Sequence, residues 1–249
     1  MPAHTSGRYF IACGRGPGTS RLLPVLERSP DSSRLLCPGS IDAHRARDYH
    51  GTDTITTTAR QGEIVETKLA NPAPLGLIGF ASTTWLLSMV NAGLFGGSGM
   101  PLVLSMALAF GGGAQVLAGI LSFIRGNTFA TVAFVGYGSF WLSFVAYAHE
   151  FGGGAPPAFV GWYLLVWGVF TLYMWIASFR HTTALQLVFL TLWITFFLLA
   201  AGELRGSSTL HVAGGYLGLV CAALAAYLSA AEVINGDYGR TVLPVGLKA

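Results

Sequence analysis

Residues 183–202 read TALQLVFLTLWITFFLLAAG, a stretch that contains no charged side chain. A helix rises about 1.5 Å per residue, so about 20 such residues cross the roughly 30 Å hydrocarbon core of a bilayer. Five similar apolar stretches complete the set, which covers residues 75–95, 101–124, 128–148, 157–179, 183–202 and 209–232. The sequence therefore predicts an all-α integral membrane protein, built as a bundle of six transmembrane helices.

The charged residues support this division. Hydrophobic residues make up 53% of the chain and charged residues only 10%, which is too few charges to cover the surface of a soluble domain. Between residues 76 and 231, charged side chains occur only at the breaks between the stretches, at Arg125, Glu150, Arg180, Glu203 and Arg205. Because these breaks are short, we expect consecutive helices to be antiparallel neighbours.

The first part of the chain has a different composition. It is rich in Arg, Ser, Pro, Gly and Asp, and it lacks any apolar run longer than a few residues. Such a segment buries too little apolar surface to offset its ordering entropy, so residues 1–66 are predicted to be a disordered polar leader, and much of residues 1–50 is expected to be expendable. Residues 67–240 then form the membrane domain, and residues 241–249 form a C-terminal tail.

The reactive side chains give no sign of catalysis. Cys13, Cys37 and Cys221 are widely spaced and form no CxxC pair, so they predict neither a disulfide framework nor a zinc site. The apolar stretches also lack the cluster of His, Cys or carboxylate groups that a membrane-embedded enzyme needs. We expect no metal, no cofactor and no enzymatic activity, and the net charge of +3 does not indicate nucleic-acid binding.

Cations in the loops predict the orientation in the membrane. With six spans, Arg205 lies on one side and the other membrane-domain cations lie on the opposite side: Lys68, Arg125, Arg180, Arg240 and Lys248. The excess of positive charge marks the cytoplasmic side, so both termini are predicted to be cytoplasmic. Compact loops and the lack of a convincing targeting signal favour a bacterial inner membrane.

A polar stripe runs along the first predicted helix. Phe80, Thr84, Leu87 and Asn91 follow one another at steps of four, three and four residues, so they share one face. The hydroxyl and amide groups on this face fit a wet pathway through the bundle. They fit hydrogen bonding between helices equally well.

Other polar residues lie in or beside the apolar stretches. Gln115, Asn127 and Thr128 are costly to leave without partners in lipid, and they are candidates either to bind a carboxylate or to tie helices together. Asn71 followed by Pro72 is a favourable helix start. This helix N-terminus would also attract an anion, although the two neighbouring prolines remove donors that such a site would use.

Several short motifs carry a resemblance to a known family. The segment Asn71-Pro72-Ala73-Pro74-Leu75-Gly76-Leu77 resembles the signature of the acetate uptake transporter family, which comprises the bacterial succinate–acetate permeases and their fungal relatives. Further similar motifs follow in order at residues 137–141, 167–172, 185–189 and 239–244. The resemblance extends from about residue 68 to the C-terminus and leaves out the leader.

The resemblance implies a hexamer in which each subunit of six spans has its own pathway. Its implied substrates are acetate and, in some members, succinate, which move with protons or down their gradient. Phe80, Tyr137 and Leu192 match the positions that narrow the family's pathway, and side chains of this kind can form a hydrophobic gate. Some fungal relatives are linked to ammonium export, so one alternative is an ammonium-related exporter. A second alternative is a channel for urea or small amides, which also has six helices and a narrow aromatic pathway.

The predicted spans contain no internal Asp, Glu, Lys or Arg, so the usual proton relay is missing. Glu232, His149 and His211 lie near the ends of spans, either as proton antennae or as solvated groups. A carboxylic acid with a pKa of about 4 to 5 is mostly anionic at neutral pH, but a dry constriction favours its neutral form. We therefore expect acetate to be captured as an anion by neutral donors and to pass the gate with a proton.

Overall fold

The computed structural model of the chain describes residues 69–151 and 154–246, together with the backbone of residues 55–58 and 64–67. Most of the predicted leader, with Cys13 and Cys37, lies outside these residues. Lys68 and Lys248, which enter the prediction of orientation, also lie outside them.

Two short strands differ from the prediction that residues 1–66 are disordered. β1, Ile55–Thr58, pairs antiparallel with β2, Ile64–Thr67, with Ile55 opposite Thr67 and Thr58 opposite Ile64. Both strands are rich in Ile, Val and Thr, whose branched side chains favour extended backbone. The composition of the whole segment concealed this local preference.

The described residues form six helical spans, each long and apolar enough to cross a membrane, which confirms the predicted architecture. Seven α-helices contribute to them: α1, Ala73–Asn91; α2, Met100–Met106; α3, Gln115–Ile124; α4, Thr128–Val145; α5, Pro157–Ala177; α6, Thr183–Arg205; and α7, Ser208–Tyr238. Within the membrane domain, α7 packs against both α1 and α6, and α6 also packs against α5.

The second span is not a regular helix. It begins with a 3-10 turn at Gly97–Gly99, continues as α2, and changes to a π-helix at Ala107–Ala114 before α3. The π-helix contains Gly111, where a Cβ atom would lie 2.7 Å from the Thr83 hydroxyl oxygen and 2.9 Å from Cδ1 of Trp141. The lack of a side chain at this position lets the second span approach α1 and α4 closely.

The ends of two spans differ from the predicted boundaries. The first helix stops at Asn91 rather than at residue 95, and Gly93 just beyond it has a φ of +74°, a conformation that glycine adopts without strain. The last helix continues to Tyr238, beyond residue 232. Hydropathy marks only the apolar part of this helix, whereas its final turns carry polar residues.

The described part of the tail folds back over the end of α7. The Asn235 side chain accepts hydrogen bonds from the backbone N–H groups of Val242 (2.7 Å) and Leu243 (2.9 Å), and it donates one to the Leu243 carbonyl oxygen (2.8 Å). The Val245 carbonyl oxygen then accepts from the N–H of Ala184 at 3.0 Å, near the start of α6. The tail thereby joins the ends of two helices.

Candidate functional site

The described residues of the membrane domain enclose a large cavity and a small cavity. The large cavity has a volume of about 320 Å³ and extends to Glu203 and His211, which lie near the connection between α6 and α7. The small cavity has a volume of about 110 Å³ and extends to Asn127, His181 and Glu232. Because successive spans alternate in direction, the two cavities reach opposite ends of the helices.

Phe80 of α1 and Leu192 of α6 line both cavities. Their side chains are only 6% and 4% exposed, so two apolar groups form the boundary between the cavities. Tyr137 of α4 lines the small cavity, and its ring centroid lies 5.6 Å from that of Phe80. The structure therefore brings together the three residues that the resemblance assigns to a gate.

Hydrogen bonds and neighbouring rings hold Tyr137 in place. Its hydroxyl donates to the Thr171 hydroxyl oxygen at 3.0 Å, and the Thr171 hydroxyl donates to the Trp167 carbonyl oxygen at 2.7 Å. The Tyr137 ring also packs edge-on against Phe170, with centroids 5.2 Å apart. The Tyr137 hydroxyl thus bonds within the protein, and the aromatic ring is the part of Tyr137 that is available to a pathway.

The predicted stripe on α1 lies on the wall of the large cavity, which Phe80, Thr84, Leu87 and Asn91 all line. The same face contributes Ser88, which sequence reasoning missed. Ser88 comes four residues after Thr84, so the helical spacing that identified the stripe also includes it.

Three buried polar atoms beside the cavities have no hydrogen-bond partner among the described residues. They are the Thr84 hydroxyl oxygen and the Trp141 indole nitrogen at the large cavity, and the Gln115 amide oxygen at the small cavity. A buried polar group without a partner costs about 1–3 kcal/mol, and such groups in native proteins usually bind water or a ligand. These side chains are therefore candidates to bond a molecule in the cavity that each of them lines.

The other predicted polar residues have different positions. Asn127 lines the small cavity, and its side-chain oxygen caps α4 by accepting from the N–H of Ala130 at 3.0 Å. Asn71 is exposed and lines neither cavity; its side chain accepts from the N–H of Ala73 and donates to the Glu232 carboxylate at 2.8 Å. Thr128 is also exposed and lines neither cavity. Asn71 and Thr128 thus line neither cavity, and their assignment to the pathway stays a prediction.

Sequence reasoning also missed a contact among three residues that come from three different helices. His211 of α7 lies between Glu203 of α6 and Asn91 of α1, with 3.4 Å from its Nδ1 to the Glu203 carboxylate and 3.4 Å from its Nε2 to the Asn91 amide oxygen. His149, by contrast, is an exposed residue that contacts the adjacent Glu150 and lines neither cavity. Sequence position near a membrane boundary could not separate these two histidines.

The two cavities and their apolar boundary suit a small molecule that is charged in water and crosses the boundary in its neutral form. Each cavity has a carboxylate and an imidazole near its outer end, Glu203 with His211 and Glu232 with His181. The boundary between the cavities has neutral, apolar walls. A charged molecule would lose its hydration there without receiving a compensating charge, whereas a neutral molecule of similar size would lose much less.

Comparison with known proteins identifies the family of this chain. The family described as the GPR1/FUN34/yaaH family matches residues 55–246. The chain belongs to this family. The match covers all six spans, and the resemblance to acetate uptake transporters is confirmed.

Several relatives carry names that refer to transport. The chain is 48% identical to the succinate-acetate/proton symporter SatP of Escherichia coli K12 over 184 residues, which is 72% of this chain and 97% of that protein. It is 33% identical to acetate permease A of Emericella nidulans over 197 residues, 72% of this chain and 66% of that protein. A solved structure of the bacterial acetate channel SatP superposes with a TM-score of 0.69 at 46% identity and covers 72% of this chain and 100% of that one.

Proposed function

We propose that this chain transports acetate and related small monocarboxylates across a membrane, and that succinate is a further substrate. The observation that carries the proposal is the pair of cavities bounded in common by Phe80 and Leu192. Such an arrangement fits a two-sided pathway with a hydrophobic constriction better than it fits an enzyme pocket. The names of the relatives support the same substrate class.

The polar groups of the large cavity fit a carboxylate. Thr84 and Trp141 supply a hydroxyl and an indole N–H that have no partner among the described residues, and both groups donate hydrogen bonds. The Gln115 amide at the small cavity can present its oxygen or, after rotation, its nitrogen. It can therefore bind either the acid O–H or the carboxylate.

Passage through the constriction requires the neutral acid. The aromatic and aliphatic walls offer no charge that compensates a dehydrated carboxylate, so burial favours the protonated substrate. One proton then crosses with each acetate, and no net charge moves. The absence of charged side chains between the two cavity ends among the described residues is consistent with this mechanism.

Assembly and orientation complete the proposal. The chain forms a homo-hexamer with one pathway in each subunit, and it lies in a bacterial inner membrane with both termini in the cytoplasm. Arg125 and Arg180 lie at the end of the helices that the small cavity approaches, and Arg205 lies at the end that the large cavity approaches. The positive-inside rule then makes the small cavity the cytoplasmic one.

Uptake of labelled acetate by proteoliposomes tests this function. Acetate uptake by the proteoliposomes should exceed uptake by protein-free vesicles. Uptake of labelled urea and methylammonium should be the same in both. Uptake of urea or methylammonium without acetate would replace this function by the small-amide channel or the ammonium-related exporter. Native mass spectrometry of the purified protein gives the subunit number.

A further inference from the structure

The ring of His211 lies between two hydrogen-bond acceptors. Its Nδ1 lies 3.4 Å from a carboxylate oxygen of Glu203, and its Nε2 lies 3.4 Å from the amide oxygen of Asn91. A neutral imidazole carries only one N–H and can donate to only one of these oxygens, whereas an imidazolium donates to both. Each N–H of an imidazolium thus has an acceptor in this arrangement.

The same neighbours also accommodate the neutral ring. Rotation of the Asn91 amide by 180° replaces its oxygen by an NH₂ group, which donates to an unprotonated Nε2, while Nδ1–H remains directed at Glu203. A ring that has partners in both protonation states can release a proton and take it up again. The Nε2 side is the one that faces α1, whose polar stripe lines the large cavity.

Close helix packing positions these three residues. A Cβ atom at Gly202 would lie 3.1 Å from the His211 backbone nitrogen, so α6 and α7 approach closely beside Glu203. A Cβ atom at Gly215 would collide with the backbone of Asn91 and Ala92, so α7 also lies directly against the end of α1. The two glycines allow residues from three helices to meet at one ring.

Few other ionisable groups among the described residues lie near the His211 ring. Glu203 is the carboxylate beside the ring, Tyr147 of the third span and Tyr163 of α5 line the same cavity, and α1 contributes the neutral Asn91. Three further charged or titratable residues at this end of the helices line neither cavity: His149, Glu150 and Arg205.

We propose that His211, held between Glu203 and Asn91, is the proton donor that converts a carboxylate in the large cavity into the neutral acid before it reaches Phe80 and Leu192. The Nε2–H bond breaks and an O–H bond forms on the substrate, so imidazolium and carboxylate become imidazole and acid. Nδ1–H stays on the ring beside Glu203, and a proton from water at the cavity mouth restores Nε2–H. This inference rests on the proposed transport of carboxylic acids.

The effect of removing the donor depends on pH in a way that a structural defect does not. Near neutral pH the free substrate is almost entirely anionic, so transport depends on a proton supplied by the protein. As external pH approaches the substrate's own pKa of about 4 to 5, the neutral acid becomes abundant and the donor is no longer needed. The deficit of a His211 variant should therefore be largest at neutral pH and should shrink as pH falls.

The test compares labelled-acetate uptake by proteoliposomes at several external pH values, after subtraction of uptake by protein-free vesicles. At neutral pH, the uptake rate of His211→Gln should be about tenfold or more below that of the unmodified protein, because a positioned proton donor is lost. At acid pH, the two rates should become similar. His211→Arg keeps a positive charge but cannot release a proton, so it should show the same deficit. His149→Gln is the matched control and should behave like the unmodified protein.

Three results would overturn the proposal. They are normal uptake by His211→Gln at neutral pH, an equal loss at every pH, and recovery by His211→Arg, which would indicate a fixed charge that attracts anions. Glu203→Gln leaves the ring in place and removes the negative charge beside Nδ1, while its amide oxygen still accepts a hydrogen bond; it should show the same pH-dependent deficit, and a normal profile would also count against the proposal. If the unmodified protein takes up no acetate, the proposed function itself is wrong, whereas normal uptake by every variant rejects only the role of His211.

Discussion

The rings of Phe80 and Tyr137 lie 5.6 Å apart, centroid to centroid, and are tilted by 50° to each other. Phe80 lines both cavities, whereas Tyr137 lines only the small one. The aromatic pair therefore lies at the level where the large cavity ends and the small cavity begins. Any molecule that passes between the cavities must move past the Phe80 ring.

Replacing Leu192 by alanine should widen the constriction. Leu192 is the second residue that both cavities share, so loss of its branched end should admit larger acids. We expect the ratio of butyrate to acetate uptake to rise by roughly tenfold, the range that a pocket gives for small changes in apolar size. The measurement is competitive uptake of the two labelled acids by proteoliposomes.

Leu228→Ala provides the control for this substitution. Leu228 is 2% exposed, compared with 4% for Leu192, and it lines neither cavity. The same loss of side-chain volume should therefore reduce stability in both variants and change selectivity only in Leu192→Ala. Equal selectivity in the two variants would remove Leu192 from the pathway.

The hydroxyl and the ring of Tyr137 should have separable roles. Tyr137→Phe loses the hydrogen bond to Thr171 but keeps the ring beside Phe80. We expect about 1 kcal/mol of lost stability, typical of one hydrogen bond, and unchanged selectivity for acetate over butyrate. Tyr137→Ala should alter selectivity as well. Thermal unfolding in detergent and competitive uptake measure the two effects, and a selectivity change in Tyr137→Phe would assign the hydroxyl to the pathway.

Two adjacent threonines permit a matched test of carboxylate binding. The Thr84 hydroxyl has no partner among the described residues and its side chain lines the large cavity, whereas the Thr83 hydroxyl donates to the Gly79 carbonyl oxygen at 2.9 Å. Thr84→Val should raise the acetate concentration at half-maximal uptake about three- to tenfold, equivalent to one hydrogen bond, without lowering stability. Thr83→Val should lower stability and leave that concentration unchanged. The reverse pattern would mean that Thr84 is only a packing residue.

Close packing of α7 against α1 should depend on Gly215. A Cβ atom there meets the backbone of Asn91 and Ala92, whereas a Cβ atom at Gly236, further along the same helix, meets nothing within 4 Å. Gly215→Ala should therefore lower the thermal midpoint in detergent. Gly236→Ala should leave it unchanged or raise it slightly, since alanine favours helix over glycine by up to about 1 kcal/mol. Similar midpoints for both variants would show that the helices can separate without cost.

Hydropathy predicted the number and order of the spans, because a long apolar helix places apolar side chains in the lipid and forms its backbone hydrogen bonds internally. It also predicted that Phe80, Thr84, Leu87 and Asn91 share a face, since that follows from helical spacing alone. The π-helix at Ala107–Ala114 was not predicted, because three consecutive glycines indicate close packing without indicating a change in helix type.

The contacts between helices were beyond sequence reasoning. His211 is 120 residues from Asn91 in the chain, and nothing in either helix alone shows that their side chains meet. Asn71 was a candidate because a helix N-terminus attracts anions, and Thr128 because polar groups are costly to leave unpaired in lipid. Both are exposed and line neither cavity, so their role in the pathway stays a prediction. Residue type identified the polar groups, and only the packing of three helices determined which of them face a cavity.

A measurement of the charge that moves with each acetate tests the central claim most directly. Proteoliposomes are given an acetate gradient at fixed internal and external pH, and lumenal pH and membrane current are recorded together with labelled-acetate uptake. The account predicts one proton for each acetate, lumenal acidification and no current, because the constriction at Phe80 and Leu192 passes the neutral acid. An inward flow of acetate that carries negative current, without movement of protons, would contradict it and make the protein an anion channel.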